Sequence, residues 1–205
     1  AEALFESAMR HIEIAESFGF HDLAVSVKST SVPLMIESYR LLAERTDLPL
    51  HLGVTEAGTL RMGTMKSAVG IGTLLAEGIG DTIRVSLTEE PEMEVDVAKD
   101  LLAALNLRDA GVELISCPTC GRLEVDLVGI VHKLEQSVSG IKKNVKVAVM
   151  GCVVNGPGEA KSADIGIACG KGVAVLYRNG ELVRKVSEDE IIPALIEEID
   201  RFECD

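Results

Sequence analysis

The sequence predicts an α/β protein in two parts: a repeating β/α series over residues 1–107 and a smaller α/β domain over 108–205. Three observations carry this. Helix-period segments alternate with short apolar runs through the first half. Strand-like runs and a two-residue turn dominate the second. Polar and thiol side chains cluster where the apolar runs end. Alternation at this spacing implies parallel strands joined by right-handed crossovers.

Residues 2–18 read as a helix already in progress, with no strand before it, and Gly19 is placed to end it. The apolar run 23–28 follows, then a helix over 32–45, a strand over 48–55, a helix over 64–77, a strand over 82–87 and a helix over 91–106. Pro91 sits where a first helical turn begins. Three strands cannot close a barrel. They form one side of an open sheet or part of an eight-stranded (β/α)8 barrel. Lys28, Thr55, Glu56, Arg84 and Ser86 all stand near the carboxyl ends of their strands, the edge that carries active sites in such barrels, and this favours the barrel.

The second half reads as strand 112–116, helix 123–139, strand 145–150 and further strands over 164–168 and 173–177. Asn179-Gly180 between apolar stretches is a strong hairpin signal. A final helix spans 187–202, with Ser187 and Glu190 spaced as a capping box.

The chain has 205 residues, 47% of them hydrophobic and only 3% aromatic, so its core is built from aliphatic side chains. The formal charge of −13 argues against a broad nucleic-acid or anionic-membrane surface, and an anionic substrate would need a local cluster of cations. No apolar run is long enough to span a bilayer and no basic-then-apolar leader opens the chain, so the expectation is a cytoplasmic protein. Five cysteines, two of them in a C-x-x-C, then point to metal or redox use rather than disulfides.

Cys117 and Cys120 follow one strand of the second half and Cys152 follows the next parallel one, so all three thiols fall on one sheet edge. Thiolates bind zinc and iron–sulfur centres. Three readings stand: an iron–sulfur cluster, a zinc-binding structural or interaction module with Cys169 as fourth ligand, or thiols packed as small hydrophobes. A fourth ligand that is oxygen would be exchangeable and would favour chemistry at an iron. Gly151, Gly156 and Gly158 let backbone crowd a bulky group. Asn155 is a site amide or a turn amide, and Glu159 a site acid or a helix-start acid. Arg84 and Ser86 alternate onto one strand face; Arg84 needs an anion there, a phosphate or the Glu56 carboxylate, and Lys28 adds a second cation. Glu56 is a helix-start acid, or a proton donor if burial raises its pKa. His11, His21, His51 and His132 show no ligand spacing.

Five stretches together resemble the 4-hydroxy-3-methylbut-2-enyl diphosphate synthase family of the methylerythritol phosphate route to isoprenoids. They are VSVKS from Val25, LHLGVTEAG from Leu50, GIGDTIRVSL from Gly78, CPTCGR from Cys117 and GCVVNGPGE from Gly151. The resemblance implies the last strands and helices of a TIM barrel over 1–107, and a 4Fe–4S domain over 108–205. It implies Cys117, Cys120, Cys152 and Glu159 as cluster ligands. Lys28, Arg84 and Ser86 would hold the substrate diphosphate, with Thr55, Glu56 and Asn155 near the reacting carbons. It further implies reductive ring opening and dehydration of 2-C-methyl-D-erythritol 2,4-cyclodiphosphate, ferredoxin or flavodoxin as reductant, and a head-to-tail homodimer. The first half of the barrel would lie outside these residues, and the chain alone would turn over poorly.

Overall fold

The computed structural model describes residues 1–109, 111–154 and 156–203. The chain divides into two compact units, Ala1–Arg108 and Asp109–Asp205, and the fold is mixed α/β.

The first unit runs α1 (Glu2–Ser17), α2 (Val32–Ala43), β1 (His51–Leu52), α3 (Leu60–Ala76), β2 (Thr82–Ile83) and α4 (Pro91–Ala104). β1 and β2 pair in parallel with His51 opposite Thr82 and Leu52 opposite Ile83. The segment expected as a first strand, 23–28, is not a continuous strand. It joins β1 only through two parallel bridges, Val25 with Leu50 and Ser29 with Val54. Spatial order follows chain order, as in a β/α barrel, but the described strands do not close on themselves.

Alternation sets the two faces of this unit. Val25, Val27, Leu50, Leu52, Val54 and Val85 are buried against Ile12 of α1, Met35, Tyr39 and Leu42 of α2, Ile71 and Leu74 of α3, and Leu101 of α4. The intervening residues, Ser26, Lys28, His51, Gly53, Thr82, Arg84 and Ser86, therefore lie on the other face.

The second unit is a five-stranded sheet of β3 (Val112–Ser116), β4 (Val145–Met150), β5 (Ile165–Gly170), β6 (Val173–Arg178) and β7 (Glu181–Val186) in that order. β3, β4 and β5 are parallel; β5, β6 and β7 are antiparallel. α5 (Leu127–Val138) and α7 (Ile191–Arg201) cover one face, burying Leu134, Val147, Ile165, Ile167, Leu176, Leu195 and Ile199. α6 (Gly156–Ser162) covers the other, over Ala148, Met150, Ala168 and Tyr177.

Local chemistry explains the boundaries. Asn179 and Gly180 both take positive φ, 49° and 80°, as a two-residue hairpin turn requires. The expected capping box forms: the Ser187 amide and hydroxyl both donate to Glu190, at 3.0 and 2.7 Å, and a 3₁₀ turn Glu188–Glu190 leads into α7. α5 starts at Leu127 rather than 123, because Asp126 caps it by accepting from the Gly129 amide at 3.1 Å. α6 occupies residues expected to be loop.

Among the described residues no helix is long and apolar enough to cross a membrane. A β-carbon at Gly166 would sit 2.0 Å from the Ala160 carbonyl oxygen, so α6 lies directly on β5 only because that strand position has no side chain. Gly166→Ala should cost about 3 kcal/mol or more by overpacking, read as a lowered urea midpoint. A value under 0.5 kcal/mol (roughly the surface-substitution range) would show that α6 is not held against the strand.

Candidate functional site

In the first unit the polar strand face carries two cations without an acid between them. Lys28 Nζ donates to Ser26 Oγ at 2.6 Å, and its stem crosses Gly53, where a β-carbon would stand 2.9 Å from Lys28 Cε and 2.9 Å from the Arg84 carbonyl oxygen. A side chain at 53 would collide with both. Burial, then the Arg84 charge, hold the Lys28 ammonium below the usual lysine range. Among the described residues neither Lys28 nor Arg84 forms an ion pair. The internal pair between Arg84 and Glu56 is therefore not formed.

Glu56 instead accepts from the Thr30 hydroxyl at 3.3 Å. It is exposed, not buried, and takes the left-handed φ of 53°, a sparsely populated conformation for a non-glycine residue that is enriched at functional sites. Thr55, beside it, is tied to the neighbouring segment by its amide, which donates to the Ser29 carbonyl at 3.3 Å. Ser86 lies two residues along from Arg84, half-buried, at the same strand end.

His51, Ser26 and the Tyr39 hydroxyl also meet at this face, beyond the residues the sequence singles out. His51 pairs through Nδ1 with the Thr82 hydroxyl at 2.8 Å, and burial, then the charges of Lys28 and Arg84, hold its ring below the usual imidazole range. The available signal was alternation: His51, Gly53 and Thr55 are spaced by two along one strand. Tyr39 reaches the same place from a helix, which strand periodicity cannot show.

In the second unit Cys117 follows β3 and Cys152 follows β4. Register sets Ser116 opposite Val149, so both thiol-bearing residues leave the sheet at one carboxyl edge. The Gly151 amide donates to Cys117 Sγ at 3.4 Å, the Glu124 amide to the Gly151 carbonyl at 3.0 Å, and the Leu123 amide to the Cys120 carbonyl at 3.2 Å. The C-x-x-C turn is thus stitched to the strand end that carries Cys152. Cys117 is half-buried, Cys120 exposed and Cys152 buried. Glu159 is exposed in the first turn of α6. Asn155 lies outside the described residues. Among the described residues, no three His, Cys, Asp or Glu side chains stand close enough to hold a metal ion. The donor set still fits a thiolate-bound group: three sulfurs from one edge, one of them already accepting an amide hydrogen bond. Gly156, at the start of α6, packs against Ala168 of β5 and Met150 of β4, so its smallness serves the fold.

Cys169 follows Ala168, the partner of Met150, and so reaches the same carboxyl end of the sheet, but its thiol is not open to that edge. It is fully buried in the apolar core under α5 and α7, and burial, with smaller contributions from Glu188 and Cys117, pushes its thiol up to about 12. A four-thiol zinc site using Cys169 is not supported.

The chain is thus a mixed α/β protein with two neighbouring cations free of ion pairs among the described residues of one unit and thiols at a sheet edge in the other. Residues 1–99 match the family model described as the GcpE TIM-barrel domain, and residues 113–201 match the GcpE protein C-terminal domain. The chain belongs to the GcpE family. It is 57% identical over 199 residues to the 4-hydroxy-3-methylbut-2-en-1-yl diphosphate synthase (flavodoxin) of Clostridium perfringens, covering 97% of this chain and 57% of that relative. It is 55% identical over 202 residues to the protein of the same name from Geobacter sulfurreducens, covering 98% and 57%. The chain thus spans little more than half the length of the curated relatives it matches.

Two outcomes follow from Cys169. Iodoacetamide at about pH 8 should label Cys120 and leave Cys169 intact in the folded chain, read by mass spectrometry of peptides. Above about pH 9 the unfolded chain gives up the Cys169 proton while the folded chain keeps it to about 12, so stability falls as pH rises through that window. Cys169→Val should remove that part of the alkaline loss; an unchanged alkaline profile would contradict it.

Proposed function

We propose that this chain takes part in reductive ring opening and dehydration of 2-C-methyl-D-erythritol 2,4-cyclodiphosphate to 4-hydroxy-3-methylbut-2-enyl diphosphate. The observation that carries the reading is the pair of cations, Lys28 and Arg84, that face each other's charge and no carboxylate. An anion between them would relieve their repulsion, and a diphosphate offers oxygens enough for both. The names of the relatives support the same chemistry and name flavodoxin; a ferredoxin would serve the same electron-donating role.

In this reading the first unit is the last part of a TIM barrel, and Lys28, Arg84 and Ser86 hold the diphosphate. Fixing that end of the substrate positions the carbon–oxygen bonds to be broken. Thr55 and Asn155 flank the reacting carbons. Glu56 is exposed, so its role here rests on its place in the LGVTEAG stretch and not on burial; it gives a proton to the departing hydroxyl, which leaves as water. Cys117, Cys120, Cys152 and Glu159 are the ligands of a 4Fe–4S cluster. When bound, the cluster supplies the two electrons one at a time and an iron whose carboxylate ligand is exchangeable. The Gly151 amide, already directed at Cys117 Sγ, stabilises negative charge on that sulfur. The reading includes a cytoplasmic enzyme acting as a homodimer.

The test has two independent arms. Anaerobic reconstitution with iron and sulfide should give visible absorbance that is lost in Cys117→Ser, Cys120→Ser and Cys152→Ser and kept in Cys169→Ala. A colourless protein holding zinc would overturn the cluster. In the second arm, Lys28→Met and Arg84→Met should each weaken pyrophosphate binding about 10- to 100-fold, the loss of a hydrogen bond to a charged group, read by calorimetry. Unchanged affinity in both variants would overturn the diphosphate site.

A further inference from the structure

The strand expected over 23–28 fails to form for a specific reason. A parallel ladder between this segment and β1 begins normally: the Val25 amide donates to the Pro49 carbonyl at 2.8 Å, and the His51 amide to the Val25 carbonyl at 2.8 Å. The next bond of a parallel ladder would run from the Val27 amide to the His51 carbonyl. Here a side chain occupies that place. The Val27 amide donates to Tyr39 Oη at 3.1 Å, and Tyr39 Oη donates to the His51 carbonyl at 2.6 Å. Pairing resumes only where the Thr55 amide meets the Ser29 carbonyl.

The same hydroxyl lies 3.2 Å from Ser26 Oγ, and the two are joined by the His51 carbonyl to which both donate, Ser26 at 2.8 Å, while Ser26 Oγ accepts from Lys28 Nζ at 2.6 Å. Tyr39 is fully buried in α2, so its phenol cannot turn away to solvent. We infer that the Tyr39 hydroxyl is a wedge in the strand ladder and that, through Ser26, it is a positioning group for the Lys28 ammonium. Spreading the two backbones makes room for the Lys28 stem across Gly53. Ser26 then takes one of the three ammonium hydrogens, which leaves two for a bound anion. The wedge therefore sets where a diphosphate end would be gripped. The inference rests on Lys28 as a diphosphate-binding cation, but the geometry of the wedge does not.

The experiment uses the whole chain, with lysine isotope-labelled at Cε and the Lys28 resonance assigned by its loss in Lys28→Met. Tyr39→Phe and Ser26→Ala should each shift and sharpen that resonance as the side chain gains freedom. They should also weaken pyrophosphate binding about tenfold, roughly the worth of one hydrogen bond. In a Lys28→Met background neither substitution should weaken it further. Ser26 is exposed, so Ser26→Ala keeps the test decisive if Tyr39→Phe loosens the fold. An unmoved Lys28 resonance in Ser26→Ala, or an equal loss of affinity with and without Lys28, would overturn the positioning role. If Lys28→Met leaves pyrophosphate affinity unchanged while the resonance still shifts, the diphosphate reading fails and the wedge stands.

Discussion

Burial of alternate strand residues under helices is the constraint on which the first unit depends. Val25, Val27, Leu50, Leu52, Val54 and Val85 must leave water together, and each is held by side chains from α1 through α4. A one-residue slip in any strand would turn that set outward and bury Lys28 or Arg84 instead. The apolar contacts thus specify the polar face without touching it. The position of both cations is a by-product of where valine and leucine are driven.

The electrostatics of that face are unfavourable in isolation. Burial and then the Arg84 charge hold Lys28 below the usual lysine range, burial and then the charges of Lys28 and Arg84 do the same to His51, and Glu56 is engaged with Thr30. Repulsion of this kind lowers stability and stores affinity for an anion. The second unit arranges its strain differently. Glu198, almost fully buried in α7, is matched by the Arg178 guanidinium, whose Nε donates to it at 2.5 Å. A buried acid with a partner is structural, whereas Lys28 and Arg84 form no ion pair among the described residues.

Much of this was readable from sequence because it is local. Strand ends follow from apolar runs, the Asn179-Gly180 turn from its φ requirements, and the shared edge of Cys117 and Cys152 from a strand–helix–strand unit. The parts that escaped depend on contacts from outside the strand. Nothing periodic marks Tyr39, a core aromatic in an amphipathic helix, as a hydrogen-bond partner of a strand backbone. His51 has no ligand spacing, although its place two residues before Gly53 puts it on the polar face. α6 was hidden by Gly156-Pro157-Gly158, which reads as loop. The proline falls in the first turn, where its missing amide costs nothing, and Gly166 accepts the close approach of Ala160 further along the helix. Cys169 looked available as a ligand because composition cannot tell an edge thiol from a core thiol on the same strand system.

The hydroxyl between Val27 and His51 also changes what backbone protection means in this protein. In an ordinary sheet an amide exchanges its hydrogen with solvent when the strands part. The Val27 amide is instead guarded by a side chain rooted in α2. Its exchange rate reports the undocking of that helix, not the opening of the sheet, while the His51 amide, bonded to Val25, reports the strands. Two amides on adjacent segments thereby monitor two different local unfolding events.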